Sequence, residues 1–135
     1  MSTSRIAGLV ASLLAALALG ACGGGNDKED AEKTVRDIAT ATSDSDGGKF
    51  CDLVTDEFLE QTTGAKGDKA KDACKKQIDS LKNADLKVSK ITKTTVDGDN
   101  ATVEAELESS GQKRPQVFKL KKEDGDFKLA SANQQ

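Results

Sequence analysis

Three cysteines and the aspartates are the side chains of this sequence that can do chemistry. The thiols are Cys22, Cys51 and Cys74. The chain contains no histidine and no tyrosine, so two of the groups that most often move protons in enzymes are missing. A thiol can instead be acylated or can form a disulfide, and the residues around each cysteine indicate which of the two it does.

Cys22 directly follows an apolar segment at the start of the chain. Arg5 is the only charged residue before it, and residues 6–21 carry aliphatic and small side chains. This order is typical of a secretory signal, and the segment is shorter than the roughly 20 residues that a membrane-spanning helix needs. An ordinary signal peptidase prefers a small residue three positions before its cut, and a cut before Cys22 would place Leu19 there.

The four residues Leu19-Gly20-Ala21-Cys22 resemble the lipobox of bacterial lipoprotein signal peptides. The resemblance implies that residues 1–21 are a signal peptide and that Cys22 is lipidated on its thiol and becomes the N-terminus. The protein is then expected on the extracytoplasmic face of the cell membrane, where two long acyl chains hold stably. A plain secretory signal with an incidental cysteine is the alternative.

Cys51 and Cys74 remain as an even pair in a protein that the leader directs to an oxidising compartment. We therefore predict a Cys51–Cys74 disulfide, with two buried free thiols as the alternative. Two cysteines without histidine do not supply the three or four ligands of a zinc site, so we predict no metal. No cofactor is predicted either.

The mature chain has the size of one ordinary domain. We predict a lipid anchor and flexible Gly-rich tether over 22–30, one domain over 31–131 and a C-terminal tail over 132–135. The formal net charge is -3, and lysines and aspartates interleave along the chain. This pattern favours neither a nucleic-acid site nor a polybasic membrane patch.

The elements that must position these residues change character near residue 85. Before it, apolar residues recur every three or four positions, which predicts an amphipathic helix from Ala31 and a short helix after it. Thr55 is expected to cap a third helix, and Asp68 to begin a fourth. Cys51 and Cys74 would then lie on facing apolar stripes of neighbouring helices.

From residue 86 onward, apolar and polar residues alternate, which predicts an antiparallel meander. Turns are expected at 97–100 and 123–126, and a loop at 109–115. Ile91 breaks the strict alternation and indicates a bulge or bend in the first strand.

The charges on the predicted sheet suggest a register for its central strands. We expect Leu107 to pair with Phe118, which would place Glu104 opposite Lys121. The outer face would then carry complementary charges across the strand pair.

Helices that precede a curved antiparallel sheet make an α+β domain. Across segments 50–58, 97–103 and 118–129, the chain resembles the nuclear transport factor 2-like fold, and in particular the small bacterial lipoproteins that carry it. A cystatin-like or other helix-plus-meander fold is the alternative. The resemblance implies a cone-like sheet that encloses a pocket, and often a homodimer through the sheet. Thr92 and Thr94 are candidate pocket-lining residues on its concave face, although ordinary strand threonines are the favoured explanation.

Enzymes of this fold use an Asp or His base, usually beside a Tyr or a second acid. Asp52 and Asp56 are the nearest candidates here, and both are better explained as surface or capping residues, so no catalytic residue is predicted. We expect a non-catalytic domain that binds a small ligand or an envelope protein and binds no nucleic acid. The alternatives are an isomerase or dehydratase with an Asp base, and a passive structural lipoprotein.

Overall fold

The computed structural model describes residues 24–82 and 84–134, so Cys22 and the predicted signal peptide lie outside the described residues. Within them, helices come first and strands follow, which confirms the α+β class. No helix in this part of the chain has the length and hydropathy to cross a bilayer. The elements are α1 (Gly24–Ser43), α2 (Gly47–Asp52), α3 (Asp56–Thr63), α4 (Asp68–Asp79), β1 (Leu86–Asp97), β2 (Asn100–Ser109), β3 (Gln112–Glu123) and β4 (Asp126–Gln134).

The strands form an antiparallel meander in the order β1-β2-β3-β4. Two irregularities interrupt the pairing of β1 with β2, one between Val88 and Lys90 and one between Ile91 and Lys93. They confirm the break expected at Ile91, and they curve the sheet because a bulge bends its strand and increases the local twist. They also keep Val88, Ile91 and Thr94 on the inner face, opposite inward residues of β2.

The expected pairing of Leu107 with Phe118 is wrong by four residues. A two-residue turn, Ser110–Gly111, joins β2 to β3, so Leu107 pairs with Arg114 and Phe118 with Val103. Both turn residues have positive φ, 52° and 76°, which is the geometry that joins twisted strands most tightly. Most of the segment predicted to be a loop is therefore strand.

The charges on the outer face change partners with this register. Glu104 lies opposite Val117 and not Lys121. The β2 glutamates face lysines of β1 instead, and Lys87 Nζ lies 3.0 Å from Glu108 Oε1. The hydrogen bond from Lys87 to Glu108 raises the pKa of this lysine.

One core fills the space between the concave face of the sheet and the helices. α1 packs across β1 and β2, and α3 packs against β4. The buried core residues are Ala31, Val35, Ile38, Cys51, Val54, Leu59, Ala70, Cys74, Ala101, Val103, Ala105, Leu107, Phe118, Leu120, Phe127 and Leu129. Within the described residues, all of them lie between residues 31 and 129.

α1 begins at Gly24 and not at Ala31, so the expected flexible tether is wrong for residues 24–30. A distant contact holds this first part of the helix, since Lys122 Nζ donates a 2.8 Å hydrogen bond to Asp27 Oδ1. That bond raises the pKa of Lys122, whose ammonium also lies 5.1 Å from the ring centroid of Phe127. Extending an existing helix costs little, so such a contact can decide where it starts.

The predicted C-terminal tail is wrong for residues 132–134, because β4 continues to Gln134. Ala132 pairs with Phe118, and Asn133 pairs with Val117. The free side of β3 presents backbone N–H and C=O groups that need partners, and β4 supplies them.

Cys51 on α2 and Cys74 on α4 lie at disulfide distance, as predicted. Their sulfur atoms are 1.98 Å apart and their Cα atoms 6.2 Å apart. Both side chains are buried. Because α2 has only six residues, this bond ties a helix with little stability of its own to the longer α4.

α2 approaches α4 most closely at Gly47. The Gly47 N–H donates a 2.8 Å hydrogen bond to Asp79 Oδ1. A Cβ atom on Gly47 would lie only 2.5 Å from the Lys75 carbonyl oxygen and 2.7 Å from the Lys75 Cα. Glycine is therefore required at this crossing for a packing reason.

Thr55 caps α3 as predicted, with its Oγ1 accepting a 3.1 Å hydrogen bond from the Phe58 N–H. The chain just before this cap runs beside β4. The Thr55 N–H donates to the Leu129 carbonyl at 2.9 Å, and the Leu129 N–H donates to the Leu53 carbonyl at 2.8 Å. These bonds fix α3 relative to the sheet.

Candidate functional site

The inner face of β3 changes from apolar to polar along the strand. Phe118 and Leu120 are buried in the core, and the same alternation carries Gln116, Arg114 and Gln112 along this face toward the β2–β3 turn. Gln116 is half-buried, while Arg114 and Gln112 are exposed. We call this uncovered part of the concave face, next to the β2–β3 turn, the open end of the sheet.

A cavity of about 340 Å³ lies at the open end. Its apolar lining comes from Leu86 at the start of β1 and Leu107 on β2. Ligand pockets commonly measure roughly 300–1,000 Å³ and combine an apolar lining with a few polar groups, so this cavity suits a small ligand. Its polar lining consists of Ser109, Ser110, Gln112, Arg114 and Gln116.

Leu86 also lines a second cavity, of about 220 Å³, between α1 and the start of β1. The two cavities are therefore neighbours. Ala39 and Val88 give the second cavity its apolar surface, and Arg36 from α1 lies at its edge. Its remaining lining residues are Thr40 and Lys87.

Both arginines of the described residues line these two cavities, Arg114 the first and Arg36 the second. No carboxylate in the described residues lies within 4.0 Å of either guanidinium. Arg114 makes one weak side-chain contact there, from Nη2 to Gln112 Oε1 at 3.4 Å. No acidic residue is among the described residues that line either cavity, so neither cavity places a carboxylate beside its arginine.

Two lysines next to the open end, Lys113 and Lys87, differ from the arginines because each has an ion-pair partner. Lys113, next to Arg114 in the chain, places its Nζ 3.3 Å from Glu106 Oε1 on the outer face. Lys87 is paired with Glu108. Arg36 and Arg114, in contrast to these two lysines, lack an ion-pair partner within the described residues.

A third cavity, of about 260 Å³, lies between α1, the end of α2 and β4, and it is acidic. Lys33 Nζ lies 2.5 Å from Asp37 Oδ2 there, and this hydrogen bond raises the pKa of Lys33. Within residues 24–82 and 84–134, no group of three or more potential ligands is placed to hold a metal ion. The lining residues are Asp30, Lys33, Thr34, Asp37, Asp52, Leu53, Asp126, Phe127 and Lys128.

Thr92 and Thr94, the candidate pocket-lining residues, line none of these three cavities. Thr92 falls in the second bulge of β1, where it is exposed and its Oγ1 donates to the Glu104 carbonyl at 3.0 Å. Thr94 does lie on the inner face, but α1 covers it and its Oγ1 donates to Glu32 Oε1 at 2.8 Å. The expectation fails because the bulges move Thr92 off the inner face and a helix occupies the space beside Thr94.

Asp52 and Asp56, the aspartates considered for catalysis, are both exposed. Asp52 Oδ1 lies 4.0 Å from Lys71 Nζ, and Asp56 lies in the first turn of α3. The buried polar residues of the described chain are Thr34 and Thr55, and both are hydrogen-bonded.

Sequence reasoning missed Arg114 and Gln116 because residues 109–115, which include Arg114 and end just before Gln116, were predicted to be a loop. The signal was the alternation itself. Counting back in steps of two from Phe118 gives Gln116, Arg114 and Gln112, so the inner face of this strand turns polar where the core ends.

No family model matches the chain, and no curated protein is similar to it in sequence. Solved structures do share its fold. A nuclear transport factor 2-like protein of unknown function from Shewanella baltica has a TM-score of 0.57 at 11% identity, over 79% of this chain and 90% of that one. A Mycobacterium tuberculosis protein of unknown function has a TM-score of 0.58 at 15% identity, over 79% of this chain and 69% of the other.

A de novo designed protein with a curved β-sheet is similar as well, with a TM-score of 0.50 at 16% identity over 76% of this chain and 95% of the design. At these identities, the similarity establishes the fold alone, and it supports the nuclear transport factor 2-like fold that the sequence resembles. Because one fold hosts many unrelated functions, the function has to be argued from the open end.

Proposed function

We propose that this chain, with its nuclear transport factor 2-like fold, is a lipid-anchored envelope protein whose single domain binds a small ligand at the open end of the sheet without catalysing a reaction. The cavity beside Leu86 and Leu107 carries the proposal. It joins an apolar surface to the guanidinium of Arg114. This combination of apolar lining and a convergent polar group is what small-molecule sites provide.

The exposure of the two candidate bases and the chemistry of the buried polar residues support binding over catalysis. Proton transfer at neutral pH relies on groups whose pKa is shifted by burial or by close charges. Thr34 and Thr55 are the buried polar residues of this part of the chain, and neither is ionisable. The carboxylates proposed as bases, Asp52 and Asp56, are exposed to solvent.

Two observations support export and anchoring. Cys51 and Cys74 lie at disulfide distance, and disulfides persist in extracytoplasmic compartments far more often than in the cytosol. α1 begins at Gly24, so Gly23 alone stands between it and Cys22. One residue spans at most about 3.6 Å, and a lipid on Cys22 would hold the start of α1 at the membrane surface.

With a lipid on Cys22, this geometry would set which end of the domain faces the membrane. α1 runs from Gly24 beside the β3–β4 turn to Ser43, and its later residues Arg36 and Ala39 lie beside the start of β1. Its 20 residues measure about 30 Å at 1.5 Å per residue. The open end would therefore face away from the bilayer, accessible to soluble ligands. Dimerisation through the outer sheet is not part of the proposal, because that face carries lysine–glutamate pairs.

Mass spectrometry of the protein purified from bacterial membranes tests the anchor. We expect the mature chain to start at Cys22 with a diacylglyceryl group on its thiol, and we expect the Cys22→Ser protein to appear in the soluble envelope fraction. An unmodified N-terminus, or a Cys22→Ser protein that stays in the membrane, would contradict the anchor.

Chemical-shift mapping tests the binding. The Cys22→Ser chain, exported so that its disulfide can form, keeps every residue of the described fold. Amphipathic fragments should shift the amide signals of Leu86, Leu107 and Gln116, and Leu86→Asn should remove these shifts. Val96→Asn is the matched control, because Val96 is a half-buried inner residue at the other end of β1. If no fragment perturbs the open end, the binding proposal is wrong.

A further inference from the structure

We infer that the ligand of the open end is a single-chain amphiphile with an anionic head, a carboxylate or a phosphate, whose head binds Arg114 and whose alkyl chain lies along Leu86. This inference rests on the proposed binding function and specifies the chemical class of its ligand. Three features carry it: the state of the arginines, the shape of the apolar surface and the distance from the predicted anchor.

Arg114 supplies the site for the head group. A guanidinium presents a planar fork of N–H donors that matches a carboxylate or phosphate, whereas a lysine ammonium is a point charge. Arg114 lacks an ion-pair partner in the described residues, while the neighbouring Lys113 is paired with Glu106. The amide groups of Gln112 and Gln116 line the same cavity and can donate further hydrogen bonds to a bound anion.

Leu86 supplies the path for the alkyl chain, because it belongs to both cavities. Leu86 lines both cavities, and Val88 and Ala39 line the second, so an alkyl chain that lies along Leu86 can extend toward them. A small inorganic anion would leave this surface in water. An uncharged alkane would cover the surface but would desolvate Arg114 without giving it a partner, which is unfavourable. An anionic amphiphile satisfies both parts.

The predicted anchor favours one alkyl chain over two. If Cys22 is lipidated, the open end lies roughly 20 Å along α1 from the bilayer, because the helix reaches Leu86 at about Arg36 to Thr40. A ligand must then reach it through water. Single-chain amphiphiles exchange through water readily, since each buried methylene adds to the cost of leaving a membrane and a second long chain makes anchoring stable.

Titrations of the exported Cys22→Ser chain with octanoate, octyl phosphate and octanol test this inference. We expect both anions to bind at least tenfold more tightly than octanol, because only they pair with the guanidinium. The ratio between octanoate and octyl phosphate then identifies the head group. Lengthening octanoate by one methylene should tighten binding by roughly fourfold for as long as the added carbon lies on the apolar surface.

Matched variants assign the head and the tail to their residues. Arg114→Gln should lower octanoate affinity at least tenfold and leave octanol unchanged, and Lys113→Gln, which removes the same charge one residue away on the outer face, should change neither. Leu86→Ser should weaken all three ligands. Amide shifts of the unliganded variants check that each is folded.

The outcomes separate this inference from the function on which it rests. If octanol binds as tightly as octanoate, or if Arg114→Gln and Lys113→Gln have equal effects, the anionic ligand class is refuted while a binding site remains. If neither these ligands nor the fragments perturb the open end, the binding function itself is refuted.

Discussion

Reduction of the Cys51–Cys74 disulfide is expected to lower the free energy of unfolding by about 3.5 kcal/mol at 25 °C. The bond joins residues separated by 23 positions, and the loop-entropy relation gives this value for a loop of that size. The loss should arise in the unfolded chain. Cys51 and Cys74 are only 1% and 4% exposed, so the reduced thiols remain packed in the folded state. Small domains are stable by about 5–15 kcal/mol, so the loss is a large fraction of the total.

Urea titrations followed by far-UV circular dichroism measure this change, since the chain has no tryptophan or tyrosine for intrinsic fluorescence. The oxidised and reduced wild-type proteins have identical side chains apart from the bond, so their difference isolates the cross-link. Compared with the oxidised protein, we expect the reduced protein to have a lower urea midpoint and a melting temperature lower by roughly 14 °C. Its free energy of unfolding should also depend more steeply on the urea concentration. Reductant should have no effect on the double variant Cys51→Ala/Cys74→Ala.

The entropic reasoning would be refuted by a reduced protein whose free energy of unfolding stays within about 0.5 kcal/mol of the oxidised value, with both thiols shown to be free by alkylation and mass spectrometry. A large loss accompanied by an unchanged urea dependence would also contradict it, because the cross-link should act on the expansion of the unfolded chain.

Three further predictions follow from the packing and the charges. Gly47→Ala should destabilise the domain by about 2 kcal/mol in thermal or urea unfolding, because its Cβ would collide with the Lys75 backbone. The control Gly48→Ala should be close to neutral, since its Cβ would meet only Asp46 Oδ1 at 3.4 Å, and equal losses would refute the steric argument. Thr55→Ala should cost about 1–2 kcal/mol through loss of the α3 cap, and Thr55→Ser should recover most of it; a Ser variant as unstable as Ala would show that the hydroxyl is not responsible. The raised pKa of Lys122 means that its bond with Asp27 stabilises the fold below the ordinary lysine pKa of 10.5, and this contribution is lost as pH rises through the higher folded-state pKa. Asp27→Asn should therefore reduce the loss of stability between about pH 8 and about pH 11.5. The control Asp72→Asn, at an exposed position on α4, should leave that loss unchanged. Identical pH profiles of stability for the two variants would refute the role of the Lys122–Asp27 bond.

Local chemistry explains which elements the sequence predicts correctly. In the α3 cap, the Thr55 hydroxyl accepts a hydrogen bond from the N–H three residues later. The turn at 123–126 depends on the positive φ of Asp124 and Gly125. Both signals lie within a few residues of the feature they determine. The Cys51–Cys74 pair could be predicted from the even number of remaining cysteines and from the oxidising compartment that the leader predicts.

The ends of the domain depend on distant partners and could not be read in the same way. Residues 24–30 have a Gly-rich, charged composition that is typical of a linker, yet Lys122, which is 95 positions from Asp27, holds them in α1. β4 extends to Gln134 because the far side of β3 is available for pairing. Neither partner is visible from the local sequence, since each becomes adjacent only after the sheet has formed.

The misplaced β2–β3 register explains why the core could be predicted while the candidate site could not. The error is four residues, an even number, and side chains in a strand alternate with a period of two. Phe118 and Leu107 therefore stay on the inner face in either register, and the core is unaffected. The same error removes residues 109–115 from the sheet and places Arg114 in a loop. Pro115 favours that mistake, because proline lacks a backbone N–H donor and is uncommon inside sheets. In the structure it lies opposite Glu106 of β2, at a position of β3 that has no β4 partner, since the pairing with β4 begins at Gln116. Predicting a site at the end of a core therefore requires the exact length of the neighbouring turn. Predicting the core requires only that the register error is an even number of residues.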